Sequence, residues 1–191
     1  MLRILILALS AALAVSSVPA QAQLVTNGGF ETGDFTGWTR NPIGTCIDQV
    51  NAGSARSGSY GLLSSPFNSV CFYSQSIATT VGQQYDFSFW IANLGFGSPS
   101  SFEAFWDSQS VFSLTNPAPT AYSQKLFSVT ATSTTTYIDF VIRDESHFYM
   151  LDDVSVVQSG TSTVVPEPSS LVLMAAGLFG LMATAYRRRV S

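Results

Sequence analysis

Charge is scarce in this sequence. Of its 191 residues, 10% are Asp, Glu, Lys or Arg, against roughly 25% in an ordinary soluble domain. So few charges exclude a disordered polyelectrolyte and are unlike a cytosolic enzyme. Eight basic residues are set against twelve acidic ones. The resulting field repels phosphate backbones, so nucleic acid is not an expected partner. Histidine occurs once, as His147, and cysteine twice. There is no Gly-x-Ser-x-Gly elbow, no phosphate-binding loop and no zinc-spaced histidine pair, so the common catalytic motifs are missing. No internal repeat is present, which argues against a propeller or solenoid. The length allows one domain with short appendages and rules out a multidomain machine.

The charges that exist are unevenly placed. Arg3, Arg187, Arg188 and Arg189 take half of the basic residues to the two ends, while eleven of the twelve acids lie before residue 165. An acidic body therefore sits between basic, apolar ends. The N-terminus runs Met1-Leu2-Arg3, an apolar stretch over residues 4–9, then small residues ending Ala20-Gln21-Ala22. A positive start, a short apolar core and an Ala-x-Ala site predict a secretory signal peptide over 1–22, cleaved after Ala22. At the other end an apolar run over residues 171–186 is closed by the three arginines. As a helix its sixteen residues span about 24 Å at 1.5 Å per residue, short of a ~30 Å hydrocarbon core but spannable with local thinning or snorkelling arginines. The arginines predict a cytoplasmic tail and an external body.

Just before this run stands Val165-Pro166-Glu167-Pro168. The Pro-Glu-Pro stretch, the apolar run and the terminal arginines, in that order, resemble the PEP-CTERM sorting signal of bacterial exported proteins. The resemblance implies recognition of Pro166, Glu167 and Pro168 by an exosortase, a membrane transpeptidase that removes the tail, in Gram-negative bacteria that make extracellular polysaccharide. Two prolines keep the recognition stretch extended while the apolar run holds it at the membrane surface. The implied location is inner-membrane anchored before processing, then cell surface or extracellular.

Between residues 23 and 158 no segment has a convincing helical period, whereas period-2 alternation recurs. Tyr85, Phe87, Phe89 and Ile91 share one face, with Asp86, Ser88, Trp90 and Ala92 on the other. Similar runs cover residues 45–50, 60–64, 69–77, 101–107, 111–114, 123–130, 136–143 and 149–157. Turn residues punctuate them, among them Ser65-Pro66 and the Gly95-Phe96-Gly97 loop. Many short strands at this spacing predict an all-β, antiparallel two-sheet sandwich of the jelly-roll kind. Residues 159–164 form a small polar linker to the sorting signal.

Cys46 and Cys71 fall in strand-like runs of an exported body, and an even pair in an oxidising compartment favours a disulfide over two free buried thiols. The opening Leu24-Val25-Thr26-Asn27-Gly28-Gly29-Phe30-Glu31, then Ser57-Gly58-Ser59-Tyr60-Gly61-Leu62, then the closing run from Tyr149 through Leu151-Asp152-Asp153-Val154 resemble the marks of galactose-binding-like jelly rolls, including several carbohydrate-binding module families. The resemblance implies a structural calcium. Glu31 and one of Asp152 or Asp153 would supply its carboxylates and backbone carbonyls near Thr26 and Arg56 would fill in, an oxygen set that suits the ion. The plainer reading is a backbone-bonded Glu31 and a solvated Asp pair.

Aromatics at Phe72, Tyr73, Trp90, Phe96, Phe102, Phe105, Trp106, Phe148 and Tyr149 offer a sugar-stacking platform, although most belong to the core. Trp90, opposite the Phe87/Phe89 face, and Phe96, in a glycine-rich loop, are the rings expected at the surface. His147 beside Asp144 and Glu145 reads as a polar turn, and Glu103 and Asp107 as strand decoration rather than a glycosidase pair. The expectation is a non-enzymatic exported protein that binds extracellular polysaccharide. The alternatives are a structural or adhesive matrix protein without a sugar site and, behind it, a carbohydrate-active hydrolase.

Overall fold

The computed structural model describes residues 22–40 and 43–160. The expected signal peptide, apart from Ala22, and the sorting segment 165–191 with its apolar run lie outside the described residues. Among those described, no helix is long and apolar enough to cross a membrane. Gln21–Gly160 form one compact unit.

Nine strands and one short 3-10 turn, Ala52–Ser54, make up the body. In chain order the strands are β1 Thr39–Arg40, β2 Ile43–Asn51, β3 Gly61–Ala78, β4 Gln84–Asn93, β5 Ser100–Trp106, β6 Gln109–Thr115, β7 Thr120–Thr130, β8 Thr135–Asp144 and β9 Tyr149–Gln158. Every pairing is antiparallel. One sheet runs β6-β5-β8-β3-β1 and the other β7-β4-β9-β3-β2, so the fold is the expected two-sheet sandwich.

β3 belongs to both sheets. Its first part pairs with β9 through Ser64↔Tyr149, and its second part pairs with β8 from Cys71↔Ile142 onward. The stretches 60–64 and 69–77, expected as separate strands around a Ser65-Pro66 turn, are thus one strand. Pro66 falls in the gap between the two partners, where neither the β9 nor the β8 ladder needs an N–H from it. Its other neighbour is Cys46 on β2, and the Cys46–Cys71 disulfide crosses this same region with Cα atoms 5.9 Å apart.

The alternation dictates the core. Phe87, Phe89 and Ile91 of β4, Phe102, Ala104 and Trp106 of β5, Ile138, Phe140 and Ile142 of β8, and Leu151, Val154 and Val156 of β9 are buried between the sheets. Phe140 lies 5.1 Å from Phe89, edge to face, and 5.8 Å from Phe102, centroid to centroid. Such pairs add ~0.5–1.5 kcal/mol each beyond their area. In β9 the alternation breaks at the Asp pair. Asp153 has φ +49° and the β4–β9 register shifts between Ser88 and Trp90, a bulge that lets both Leu151 and Val154 face inward. It also re-aims Asp152 and Asp153 toward the segment that leads into β3.

Candidate functional site

Two places in the body gather chemistry: the outer face of the β6-β5-β8-β3-β1 sheet, and the end of the sandwich where β9, the opening segment and residues 55–60 meet.

On the outer face, β8 lies between β3 and β5, so residues align in rows across three strands. Ser74, Asp139 and Phe105 form one row, and Phe72, Val141 and Glu103 the next. Two strand spacings, about 10 Å, separate β3 from β5. Phe72 and Phe105 therefore stand diagonally on either side of Asp139 and Val141. With Ser108 they line an open pocket of about 230 Å³. Tyr137, half exposed two residues before Asp139, extends the apolar surface along β8. The alternation of β8 and β5 places these groups: Ile138, Phe140, Ala104 and Trp106 go inward, so Asp139, Val141 and Phe105 go outward.

Asp139 accepts a hydrogen bond from Ser74 Oγ. Burial pushes its carboxyl above the usual aspartate range, and the charge of Asp107 adds to the push, against the Ser74 bond. Asp107 sits at the β5–β6 turn with φ +48° and accepts from Thr132 Oγ1. Flat phenyl rings beside a desolvated acceptor can hold a ring whose faces are C–H and whose rim is hydroxyl.

At the sandwich end, Gly29 is surrounded by the three residues expected to bind calcium. A Cβ there would lie 3.6 Å from Glu31 Cγ, 3.7 Å from Asp152 Oδ1 and 3.8 Å from Asp153 Oδ1. Their oxygens face protein donors. Glu31 accepts from the backbone N–H groups of Ser59 and Tyr60. Asp152 accepts from those of Arg56, Ser57 and Asp153. Asp153 accepts from Ser57 Oγ and from the Arg56 guanidinium at 2.9 Å. Burial pushes Asp152 up to about 6, held back by its three backbone hydrogen bonds and helped by the Asp153 charge. Among the described residues no group of three or more His, Cys, Asp or Glu is set to hold a metal ion. The donor types suit calcium, and an ion here would take oxygens that now accept from N–H and O–H groups.

Trp90 lies on the outer face of the other sheet, half buried, with the Arg56 guanidinium 3.7 Å from its ring centroid. Its accessible face is thus covered by a cation from its own chain. Phe96 is 76% exposed in the loop after β4. Neither lines the Phe72–Phe105 pocket. The His147 segment is a turn built on Asp144, whose Oδ1 accepts from the backbone of Ser146 and His147. Phe72 and Phe105 were legible as aromatics but were not singled out. What marks them is phase, since each neighbours inward residues, Cys71 and Tyr73 for one, Ala104 and Trp106 for the other.

Residues 164–189 match a family model described as the PEP-CTERM protein-sorting motif. The chain carries that signal. A PEP-CTERM motif implies export and membrane anchoring before processing by an exosortase. No curated protein matches this PEP-CTERM chain.

Among solved structures the body is similar to the module TmCBM61, in complex with β-1,4-galactotriose, at TM-score 0.61 and 17% identity over 72% of this chain and 99% of that one. A family 16 carbohydrate-binding module gives TM-score 0.55 and 16% identity over 70% and 99%. The xylan-binding CBM22-1 domain from Paenibacillus barcinonensis Xyn10C gives 0.53 and 14% over 76% and 99%. The enzymatically active domain of bacteriophage CBA120 tailspike protein 4 also matches, at 0.57 and 14% identity, over 71% of this chain but only 21% of its own. At these identities the likeness establishes the fold, a jelly-roll sandwich shared with carbohydrate-binding modules. This chain spans about a fifth of the tailspike domain and nearly the whole of each module.

Proposed function

We propose that this protein is an exported, non-catalytic polysaccharide-binding module, and that the Phe72–Phe105 pocket on the outer face of the β5-β8-β3 region is its sugar site. The observation that carries the reading is the pocket itself: two outward phenyl rings flanking a half-buried carboxylate on an otherwise Ser- and Thr-rich sheet. The support from likeness is by fold, since the modules that share this sandwich bind glycans. The PEP-CTERM motif supplies the context, an exosortase as processing partner and polysaccharide outside the cell as ligand, with the body finally at the surface or in the matrix. Binding a sugar needs stacking and a few placed acceptors, which the pocket has. Hydrolysis needs a second carboxylate across the glycosidic bond in a substrate cleft, and the aligned acids Glu103 and Asp107 lie along the same flat face as Asp139.

The test is retention of the full chain, purified in mild detergent, on a glycan array and on exopolysaccharide. Phe105→Ala should lower retention about tenfold or more without shifting the melting temperature, because the ring is outside the core. Retention unchanged in Phe105→Ala and in Phe72→Ala removes the site from this pocket. No retention on any glycan favours the matrix-protein reading, and glycan cleavage abolished by Asp139→Asn favours a hydrolase.

Calcium belongs to the same proposal. Glu31, Asp152 and Asp153 would hold the ion, and their convergence on Gly29 together with the desolvation of Asp152 supports it. Calcium should raise the melting temperature by several degrees over a chelator control, and Asp152→Asn should abolish that rise. Equal melting with calcium and chelator contradicts it.

A further inference from the structure

The proposed sugar site has a charge character that selects among glycans, and this step rests on the pocket being that site. The body holds four cations, each engaged in an ion pair or a ring contact, and the one nearest the pocket is Arg143, two residues beyond Val141 on the same face of β8. Arg40 pairs with Asp48 at 3.0 Å and lies over Phe35. Arg56 pairs with Asp153 and covers Trp90. Arg143 pairs with Glu145 at 2.8 Å. The Lys125 ammonium is 5.3 Å from the ring centroid of Phe112.

Asp139, by contrast, has a hydroxyl as its partner, Ser74, and no cation faces it among the described residues. The groups around it on the neighbouring strands are Ser74 and Phe72 on β3, and Phe105, Glu103 and Asp107 on β5 and its turn. The charged ones on those strands are both acids, and the cation on the same face of β8, Arg143, is paired with Glu145. A partly desolvated carboxylate flanked by like charges is short of a counter-ion, and the two phenyl rings leave room between them for a group that brings one.

We infer that the pocket takes amino sugars bearing a free ammonium, with the ammonium on Asp139 and the sugar ring against Phe72 and Phe105, and rejects glycans of uronate units. An ammonium gains a charge-assisted hydrogen bond to the carboxylate and a favourable contact with the ring faces. A neutral N-acetyl group gains neither. A uronate would meet Asp139, Asp107 and Glu103, all of its own sign, in a site that water only partly screens.

The experiment titrates the full chain in mild detergent with three probes: a β-1,4-linked glucosamine hexamer with free amines, its fully N-acetylated counterpart, and an oligogalacturonate. The expected result is at least tenfold tighter binding of the free-amine hexamer than of the acetylated one, and no measurable binding of the uronate. Asp139→Asn should bring the ratio of the two hexamers' affinities close to one. Val141→Lys, which places an internal ammonium in the pocket wall, should likewise bring that ratio close to one. Phe105→Ala, which leaves every charge in place, should weaken both hexamers. Equal affinity for the two hexamers, or a preference that survives both Asp139→Asn and Val141→Lys, overturns the inference. So does amine binding unchanged in Phe105→Ala, which would mean adsorption to an acidic surface. If other neutral glycans bind through Phe105 but the free-amine hexamer does not, the selectivity falls and the sugar site stands. If nothing binds, both fall.

Discussion

Asp139 ties stability to pH as well as binding. Its folded carboxyl holds a proton at a higher pH than an unfolded aspartate, because burial and the Asp107 charge penalise the ionised form. The folded state therefore binds more protons than the unfolded state between the ordinary aspartate value of 3.8 and the raised one. In that window stability falls as pH rises, and below 3.8 the group contributes nothing either way. Asp139→Asn removes the penalty and keeps an acceptor for Ser74. The melting temperature of the variant relative to the parent should climb as pH is raised from 4 to 7. A difference that stays constant over that range contradicts the assignment. Asp34 works in the opposite sense, its carboxyl lowered chiefly by hydrogen bonds from Thr32 and Thr36, so it opposes the trend in both proteins and cancels in the comparison.

At the scale of elements, β3 carries the sandwich, because one strand of 18 residues serves both sheets and bears one half of the disulfide. The bridge to β2 closes a loop of 25 residues, which in the chain-entropy model contributes about 3 kcal/mol. Replacing both cysteines by alanine should therefore lower the unfolding free energy in urea by about that much and raise the m-value, because the uncrosslinked unfolded chain exposes more surface; a loss below about 0.5 kcal/mol would contradict the entropic estimate.

The strands were legible in the sequence wherever one face is buried, as in Tyr85, Phe87, Phe89 and Ile91, since a period of two leaves little choice of face. Two features were not legible. Pro66 reads as a turn residue from its own chemistry, and only the change of sheet around it shows that the strand continues. The β9 bulge depends on Asp153 adopting a left-handed backbone, which an Asp pair does not announce. The same gap explains the site. Glu31, Asp152 and Asp153 could be brought together from the sequence through a family likeness, whereas the Phe72–Phe105 pocket depends on β3 and β5 flanking β8, a neighbourhood set by topology. Trp90 was correctly placed off the core-facing side of β4, yet the arginine covering it comes from a residue 34 positions earlier, a contact beyond any local pattern.

For the whole molecule, the division of labour is one of solvent. The body places most of its large apolar residues in a core between two sheets and carries an aromatic pocket on one outer face, while the PEP-CTERM segment holds the apolar run that addresses the chain to the membrane. Intact mass of the native product should match a chain starting at Gln23 and ending near Pro168, and a retained arginine tail would contradict processing.

The most direct test of the sugar site is hydrogen–deuterium exchange of the full chain with and without a retained glycan. The account predicts slowed exchange concentrated in residues 70–75, 103–108 and 137–141, the three segments that line the pocket. Protection confined to the loop around Phe96 and to the Trp90 region of β4, with those three segments unchanged, would contradict it.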